Sequence, residues 1–161
     1  MKPTAVKLFT ILAALGAAGM ALATDTALSA VDRWQADKTV ILDASEVDLV
    51  DFKWIARPLV VFADSPSDPA FRRQMELLEA RIGELVERDV VIVTDTDPEG
   101  RSSVRTKLRP RGFMLTLIGK DGGVKLRKPF PWDVRELSRQ IDKMPIRRQE
   151  LQDARDAIAG K

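Results

Sequence analysis

The sequence predicts an α/β fold in which helices cover both faces of a central mixed sheet. Two unbroken apolar runs, Leu59–Ala63 and Val90–Thr94, are typical of strands that are buried on both faces. A helical pattern lies between them, and parallel strands joined by a helix form a right-handed βαβ unit. The later run Lys120–Gly123 predicts a tight two-residue turn, which adds an antiparallel hairpin to the sheet.

The chain before the first strand contains one recognisable element. In Ala27–Ala36 the apolar residues Leu28, Val31 and Trp34 recur three apart, which predicts a short helix. The apolar pieces that follow, up to Phe52, are broken by acidic residues and give no assignment.

The helix between the two strands has clear start signals. Asp68 is a suitable N-cap, and Pro69 fits the first helical position, where its missing N–H costs nothing. Apolar residues then follow at helical spacing and form one buried stripe: Phe71, Met75, Leu78, Ile82 and Leu85.

The elements after the second strand are shorter. A polar loop precedes a short helix at Val104–Leu108, and Phe113–Ile118 is a third apolar strand. Val124–Arg127 alternates apolar and charged residues, as a partly exposed strand does. Asp133 and Glu136 have the spacing of a capping box and begin a helix that Pro145 ends, before a charged final helix.

Residues 1–23 have the pattern of an export signal. Lys2 and Lys7 charge its start, an Ala- and Gly-rich apolar run follows, and Ala21-Leu-Ala23 supplies the small-x-small cleavage pattern. We expect cleavage after Ala23, a periplasmic or secreted mature protein and no stable membrane anchor after cleavage. The expected division is a signal at 1–23, an N-terminal extension at 24–51, a domain at 52–150 and a helix end at 151–161.

The composition excludes several functions. The 161 residues include no Cys, His or Tyr, so disulfides, thiol nucleophiles and a Ser-His-Asp triad are impossible. The 26 basic residues exceed the 24 acidic ones only through the two lysines of the signal. The mature chain is therefore formally neutral, and nothing in its charge favours binding to nucleic acid.

The element order β-α-β-α-β-β-α is that of a thioredoxin-like three-layer sandwich. The segments Arg57-Pro-Leu-Val-Val-Phe-Ala63, Arg88-Asp-Val-Val-Ile-Val93, Leu117-Ile-Gly-Lys-Asp-Gly-Gly-Val-Lys-Leu-Arg127 and Ile141–Glu150 carry a further resemblance. They resemble the bacterial family called domain of unknown function 4174, similar to domains of secreted sushi-repeat and matrix proteins. The Gly-Lys-Asp-Gly-Gly run is the most specific part. The resemblance implies a thioredoxin-like, peroxiredoxin-related fold and an exported setting, and no agreed activity.

The loop after the first strand is the main candidate site, because redox members of this fold carry Cys-x-x-Cys there. This chain has Asp64-Ser-Pro-Ser-Asp-Pro69 instead. One interpretation is an anion site at the helix N-terminus, in which Ser65 and Ser67 donate hydrogen bonds and Arg72 and Arg73 supply charge near the cap Asp68. The other is that Arg72 pairs with Glu76 and Asp68 offsets the remaining charge.

Three further features have alternative interpretations. Asp95–Gly100 begins like a calcium loop, but position twelve is Thr106 in place of Glu, which favours a solvated acidic turn. Four cations of the C-terminal half form either a basic groove or a set of solvated charges: Lys120, Lys125, Arg127 and Arg147. Trp34, Trp54 and Trp132 lie near element ends, where half-buried packing is usual and exposed partner-binding aromatics are the minority case.

These observations favour a noncatalytic binding or interaction module that holds a peptide, a protein partner or a small anion. A structural envelope protein that docks through its charged final helix is the alternative. A hydrolase based on Asp64, Asp68 or Lys120 with a serine is less favoured, since a polar surface loop gives no reason for separated carboxyl pKa values. We expect no cofactor and no metal, and the sequence indicates no oligomeric state.

Overall fold

The computed structural model describes residues 28–160. The predicted export signal, residues 1–23, and the expected start of the mature chain near Thr24 lie outside the described residues. Between residues 28 and 160, no helix is long and apolar enough to cross a membrane.

The strands form one five-stranded mixed sheet in the order β1-β3-β2-β4-β5. Their bounds are β1 Ile41–Asp43, β2 Arg57–Phe62, β3 Val90–Asp95, β4 Met114–Ile118 and β5 Val124–Lys128. β3 is parallel to β1 and β2, whereas β4 is antiparallel to both β2 and β5. This arrangement confirms the predicted mixed α/β sheet. The edge strand β1 is the element for which the sequence pattern gives no assignment.

The helices are α1 Ala30–Ala36, α2 Pro69–Glu79, α3 Ile82–Val86, α4 Ser103–Leu108, α5 Val134–Asp142 and α6 Pro145–Ile158. The single helix predicted after Asp68 is divided into α2 and α3, although Leu78 and Leu85 of its stripe are both buried. Ile82 and Gly83, which follow the break, are weak helix formers. Pro145 occupies the first turn of α6, as expected of a residue that ends one helix and begins another.

Alternate residues of β2 face opposite sides of the sheet. Val60 and Phe62 belong to a buried cluster that includes α1, two 3-10 turns between β1 and β2, and α4. Leu59 and Val61 belong to a second cluster that includes α2, α3 and α5. Because successive side chains of a strand point to opposite faces of the sheet, an unbroken apolar run must be buried on both faces. Helices therefore pack on each face, and the fold has three layers.

The turn between β4 and β5 contains one residue more than predicted. The Gly119 N–H donates to the Gly123 carbonyl at 2.9 Å, and the Gly122 N–H donates to the Gly119 carbonyl at 2.9 Å. Lys120, Asp121 and Gly122 therefore form a three-residue loop. Gly122 has a φ of 80°, a left-handed conformation that glycine adopts without strain.

Candidate functional site

The loop between β2 and α2 satisfies its own hydrogen bonds. The hydroxyls of Ser65 and Ser67 are 2.7 Å apart, and the Ser67 N–H donates to Ser65 Oγ. The Asp68 carboxylate accepts from the N–H groups of Ala70 at 2.7 Å and Phe71 at 3.2 Å, which confirms its role as N-cap. The backbone N–H groups that an anion would need at the start of α2 are thus already engaged.

Arg72 and Arg73 lie on the exposed side of the first turns of α2. Arg73 donates to Glu76 Oε2 at 3.1 Å, so the predicted pairing of Arg72 with Glu76 is wrong: the residue three positions away takes the carboxylate. Asp64 is exposed at the start of the loop. The cavities described below are lined by other residues.

A buried ion pair lies directly behind this loop. Arg105 of α4 donates from Nε to Asp95 Oδ1 at 2.9 Å and from Nη2 to the carbonyls of Ala63 and Asp95 at 2.9 and 3.0 Å. Ser102 Oγ donates to the other carboxylate oxygen at 2.6 Å. The Asp95 side chain is 3% exposed and that of Arg105 12%. The pair ties the ends of β2 and β3 to α4.

Asp95 is also the first residue of the stretch that begins like a calcium loop. Its carboxylate oxygens are engaged by Arg105 and Ser102, which disfavours that use. Asp43 and Asp97 contribute to a polar cavity of about 150 Å³ at the carboxyl ends of β1 and β3. In the part of the chain that the structure describes, no group of three or more acidic residues is arranged to hold a metal ion.

A cluster of charged residues lies at the opposite end of β2. We call it the Arg57 cluster: Lys38, Arg57, Asp89, Lys120 and Glu150. Arg57 is only 1% exposed, and its Nη2 donates to Glu150 Oε1 at 3.0 Å. Lys120 Nζ lies 2.9 Å from Asp89 Oδ2 and 2.8 Å from Glu150 Oε1, and Lys38 donates to Asp89 at 2.7 Å. Two carboxylates therefore serve the three cations of the cluster, and Glu150 is also 3.4 Å from Arg147.

The surplus of cations lowers the pKa of both carboxylates. Burial alone would raise the pKa of Glu150, but hydrogen bonds from Lys120 and Arg57 outweigh it and hold that pKa below its ordinary value. The same balance applies to Asp89, where burial is opposed by hydrogen bonds from Lys38 and Lys120. Both groups favour their charged form inside the cluster.

A cavity of about 210 Å³ opens beside the Arg57 cluster, and we call it the basic cavity. Its walls combine the cations Arg57, Lys120 and Lys125 with three residues at the start of α6: Met144, Pro145 and Ile146. Most of the lining is therefore apolar carbon, with positive groups at one side.

Two of the four basic candidates predicted from the sequence line this cavity. Lys120 and Lys125 do so, and Lys125 also pairs with Asp121 at 2.6 Å. Arg147 follows the lining residue Ile146 in sequence and reaches Glu150 at 3.4 Å. Arg127 lies apart: its Nη1 donates to the Leu108 carbonyl at 2.6 Å.

A second cavity, of about 200 Å³, lies on the other side of the β4–β5 turn and has an apolar floor. The buried side chains Leu49, Leu108 and Ile118 form that floor, and Lys53 and Lys107 stand beside it. Neither lysine forms an ion pair with any residue between 28 and 160.

Exposed apolar side chains adjoin this cavity. Val50 and Val124 line it and are largely exposed, and Trp54 next to Lys53 is 62% exposed. Trp54 has a φ of 66°, a left-handed conformation that is unfavourable for a bulky residue, and its N–H donates to the Lys120 carbonyl at 2.7 Å. We call Val50, Trp54, Val124 and the cavity beside them the Trp54 surface.

The three tryptophans have different environments. Trp34 is buried and Trp132 partly buried, in line with the packing role expected for most of them, whereas Trp54 is exposed. The sequence gives no signal for that difference, because it depends on the backbone conformation at Trp54. The sequence does indicate that Arg57 has an acidic partner, because a cation inside a strand buried on both faces needs one.

Comparisons with known proteins agree with this architecture. The sequence matches the family model described as Domain of unknown function (DUF4174) over residues 48–150. None of the curated proteins matches it. The reduced 2-Cys peroxiredoxin of Plasmodium vivax is similar in structure, with a TM-score of 0.50 and 15% identity over 65% of this chain and 85% of that chain. The mitochondrial 2-Cys peroxiredoxin from Plasmodium falciparum has a TM-score of 0.45 and 17% identity over 74% of this chain and 90% of that chain. The first similarity confirms the thioredoxin-like fold.

Proposed function

The chain belongs to the family described as Domain of unknown function (DUF4174), and we propose, from the chemistry of its surface, that it is a noncatalytic thioredoxin-like module that binds a partner peptide on its Trp54 surface. The carrying observation is that Trp54 is 62% exposed in a strained backbone conformation, next in sequence to Lys53, which lines a cavity with an apolar floor. Folding alone would favour Gly or Asn at that φ, so the tryptophan is better explained by recognition.

The chemistry of the surface defines the peptide. An apolar side chain of the peptide fills the cavity above Leu108 and Ile118, and the exposed Trp54 offers a further apolar contact to the rest of the peptide. Acidic residues of the peptide pair with Lys53 and Lys107, because these cations have no carboxylate partner within residues 28–160. The expected ligand is thus an extended segment with one large apolar residue flanked by Asp or Glu.

One property of the sequence and one of the structure support a binding role over catalysis. The chain contains no Cys or His, so the thiol chemistry of peroxiredoxins is unavailable to it. The loop at the corresponding position is occupied by its own hydrogen bonds. The module acts in the periplasm or outside the cell, as the export pattern of residues 1–23 indicates.

The alternative, a structural envelope protein that docks through its final helix, is favoured by one observation. No residue of α6 is fully buried, and Ile158 is 89% exposed. Such a helix has an outer apolar position that a partner could cover.

A displayed peptide library selected on the immobilised protein tests the proposal. Selected peptides should share the apolar-acidic pattern, and fluorescence anisotropy should show at least about tenfold weaker binding to Trp54→Gly and Val50→Asp. Gly adopts the local φ without strain, so the first variant preserves the backbone. Ile158→Asp is the matched control, because it adds the same charge at an exposed apolar position. Loss of binding in Ile158→Asp alone would favour docking through α6, and unchanged binding in all three variants would refute the proposal.

A further inference from the structure

The basic cavity is separate from the Trp54 surface and contains the start of helix α6. The N-cap residue, Met144, has no side-chain acceptor to offer, and no side chain caps the helix. Pro145 has no N–H, so the N–H groups of Ile146 and Arg147 are the donors left at this end. An uncapped helix N-terminus attracts negative charge through these donors and through the helix dipole.

A second feature of the cavity also points to a ligand. Arg57, which forms part of the wall, is 1% exposed, and its Nε has no hydrogen-bond partner among the described residues. Its other nitrogens donate to the Arg88 carbonyl at 2.8 Å and to Glu150 at 3.0 Å. A buried guanidinium donor without an acceptor is unfavourable, so a residue in the wall of this cavity has unsatisfied hydrogen-bonding capacity.

The charge of the site suits a monoanion. The ion pairs of the Arg57 cluster continue from Glu150 through Arg147 to Asp142, Arg88 and Glu87, so five cations face four carboxylates and one positive charge remains in excess. Lys125, which also lines the cavity, is offset by Asp121, another residue of the lining. A singly charged group would balance the cluster, whereas a doubly charged phosphate would exceed it.

The remaining walls determine the rest of the ligand. Met144, Pro145 and Ile146 present apolar carbon, and a volume of about 210 Å³ is smaller than a drug-sized pocket. We propose that the basic cavity binds a small organic monocarboxylate, with the carboxylate at the N-terminus of α6 near Arg57 and Lys120 and a short apolar body against Met144 and Ile146. This site does not depend on peptide binding at the Trp54 surface.

Isothermal titration calorimetry with hexanoate, hexanol and inorganic phosphate tests this proposal. Hexanoate should bind saturably, and hexanol, which has the same apolar body without the charge, should bind at least about tenfold more weakly. Phosphate should also bind more weakly, because it lacks the apolar body. Lys125→Gln, which removes a cation from the cavity wall and leaves Asp121 without its ion pair, should weaken hexanoate binding severalfold.

Met144→Asp and Met144→Ala form the decisive pair of variants. Both remove the same side chain, but Asp also caps α6 and places a carboxylate where that of the ligand would lie. Met144→Asp should therefore have a higher melting temperature than Met144→Ala and yet lose hexanoate binding that Met144→Ala retains in weakened form. Equal affinity of hexanoate and hexanol, equal binding by the two variants, or no saturable hexanoate binding to the wild type would refute the proposal. Val50→Asp, which is expected to weaken peptide binding, should bind hexanoate normally. The two proposals can therefore fail independently of each other.

Discussion

The buried pair between Asp95 and Arg105 allows a quantitative test of what holds the ends of β2 and β3 together. Arg105→Met keeps much of the side-chain volume but leaves the Asp95 carboxylate, 3% exposed, with Ser102 as its remaining side-chain donor. Removing one partner of a buried ion pair costs about 3–5 kcal/mol. Because Arg105 itself is 12% exposed and the site can admit some water, we expect about 3 kcal/mol. For a protein of this size that lowers the melting temperature by about 6–12 °C.

A double-mutant cycle isolates the pair from other effects of the substitution. Asp95→Asn alone leaves Arg105 its two carbonyl acceptors and should cost about 1–2 kcal/mol. In the double variant no charge is buried alone, so its loss of unfolding free energy should fall short of the sum by at least about 1.5 kcal/mol. Guanidinium unfolding followed by tryptophan fluorescence measures all four proteins, with exposed Arg101→Met as a control expected within about 0.5 kcal/mol of the wild type. Additive losses, or a loss below about 1 kcal/mol in Arg105→Met, would contradict the assignment, and calcium-dependent stabilisation of the wild type would favour a calcium role for Asp95.

Three other predictions concern single features. Asp68→Ala removes the cap that accepts from two backbone N–H groups of α2 and should cost about 1 kcal/mol in urea unfolding, with Asp68→Asn close to the wild type. Gly122→Ala, at a φ of 80°, should cost about 1 kcal/mol in the same assay. Burial alone would raise the pKa of Glu150, but hydrogen bonds from Lys120 and Arg57 hold it below the ordinary 4.5. The stability it contributes is therefore fully present above pH 4.5 and lost as the pH falls through the lower pKa of the folded state, so Glu150→Gln should flatten the acid side of the melting-temperature profile.

The parts of the fold that could be predicted from sequence are those with a local cause. Leu59–Ala63 and Val90–Thr94 indicate buried strands because their apolar runs fit no half-exposed element, and Asp68 with Pro69 indicates a helix start through local hydrogen bonding. β1 escaped prediction because it is three residues long and is fixed by pairing with β3, about fifty positions away. No local pattern carries that information.

The candidate sites likewise combine features with a local cause and features that depend on residues distant in sequence. The loop after β2 could be located from the element order, but its self-contained hydrogen bonds could not be predicted from the order alone. Arg57 and Glu150 are 93 positions apart and meet only because α6 returns beside the start of β2. Their pairing brings charges that are distant in sequence into one cluster, which is why the sequence alone leaves a basic groove and a set of solvated charges as alternatives.

The two proposed binding sites share one structural element, the turn between β4 and β5. Asp121 lines both the basic cavity and the cavity of the Trp54 surface, and the Lys120 carbonyl holds the Trp54 N–H while the Lys120 ammonium joins the Arg57 cluster. The Gly-Lys-Asp-Gly-Gly run that carries the most specific family resemblance is this same turn. Turn geometry explains Gly122. It does not require a lysine whose carbonyl accepts from Trp54 while its ammonium group joins the Arg57 cluster. The two proposed binding sites, at the end of the sheet opposite the usual thiol position, would account for that lysine, for the exposed tryptophan bonded to its carbonyl and for the uncapped helix beside it.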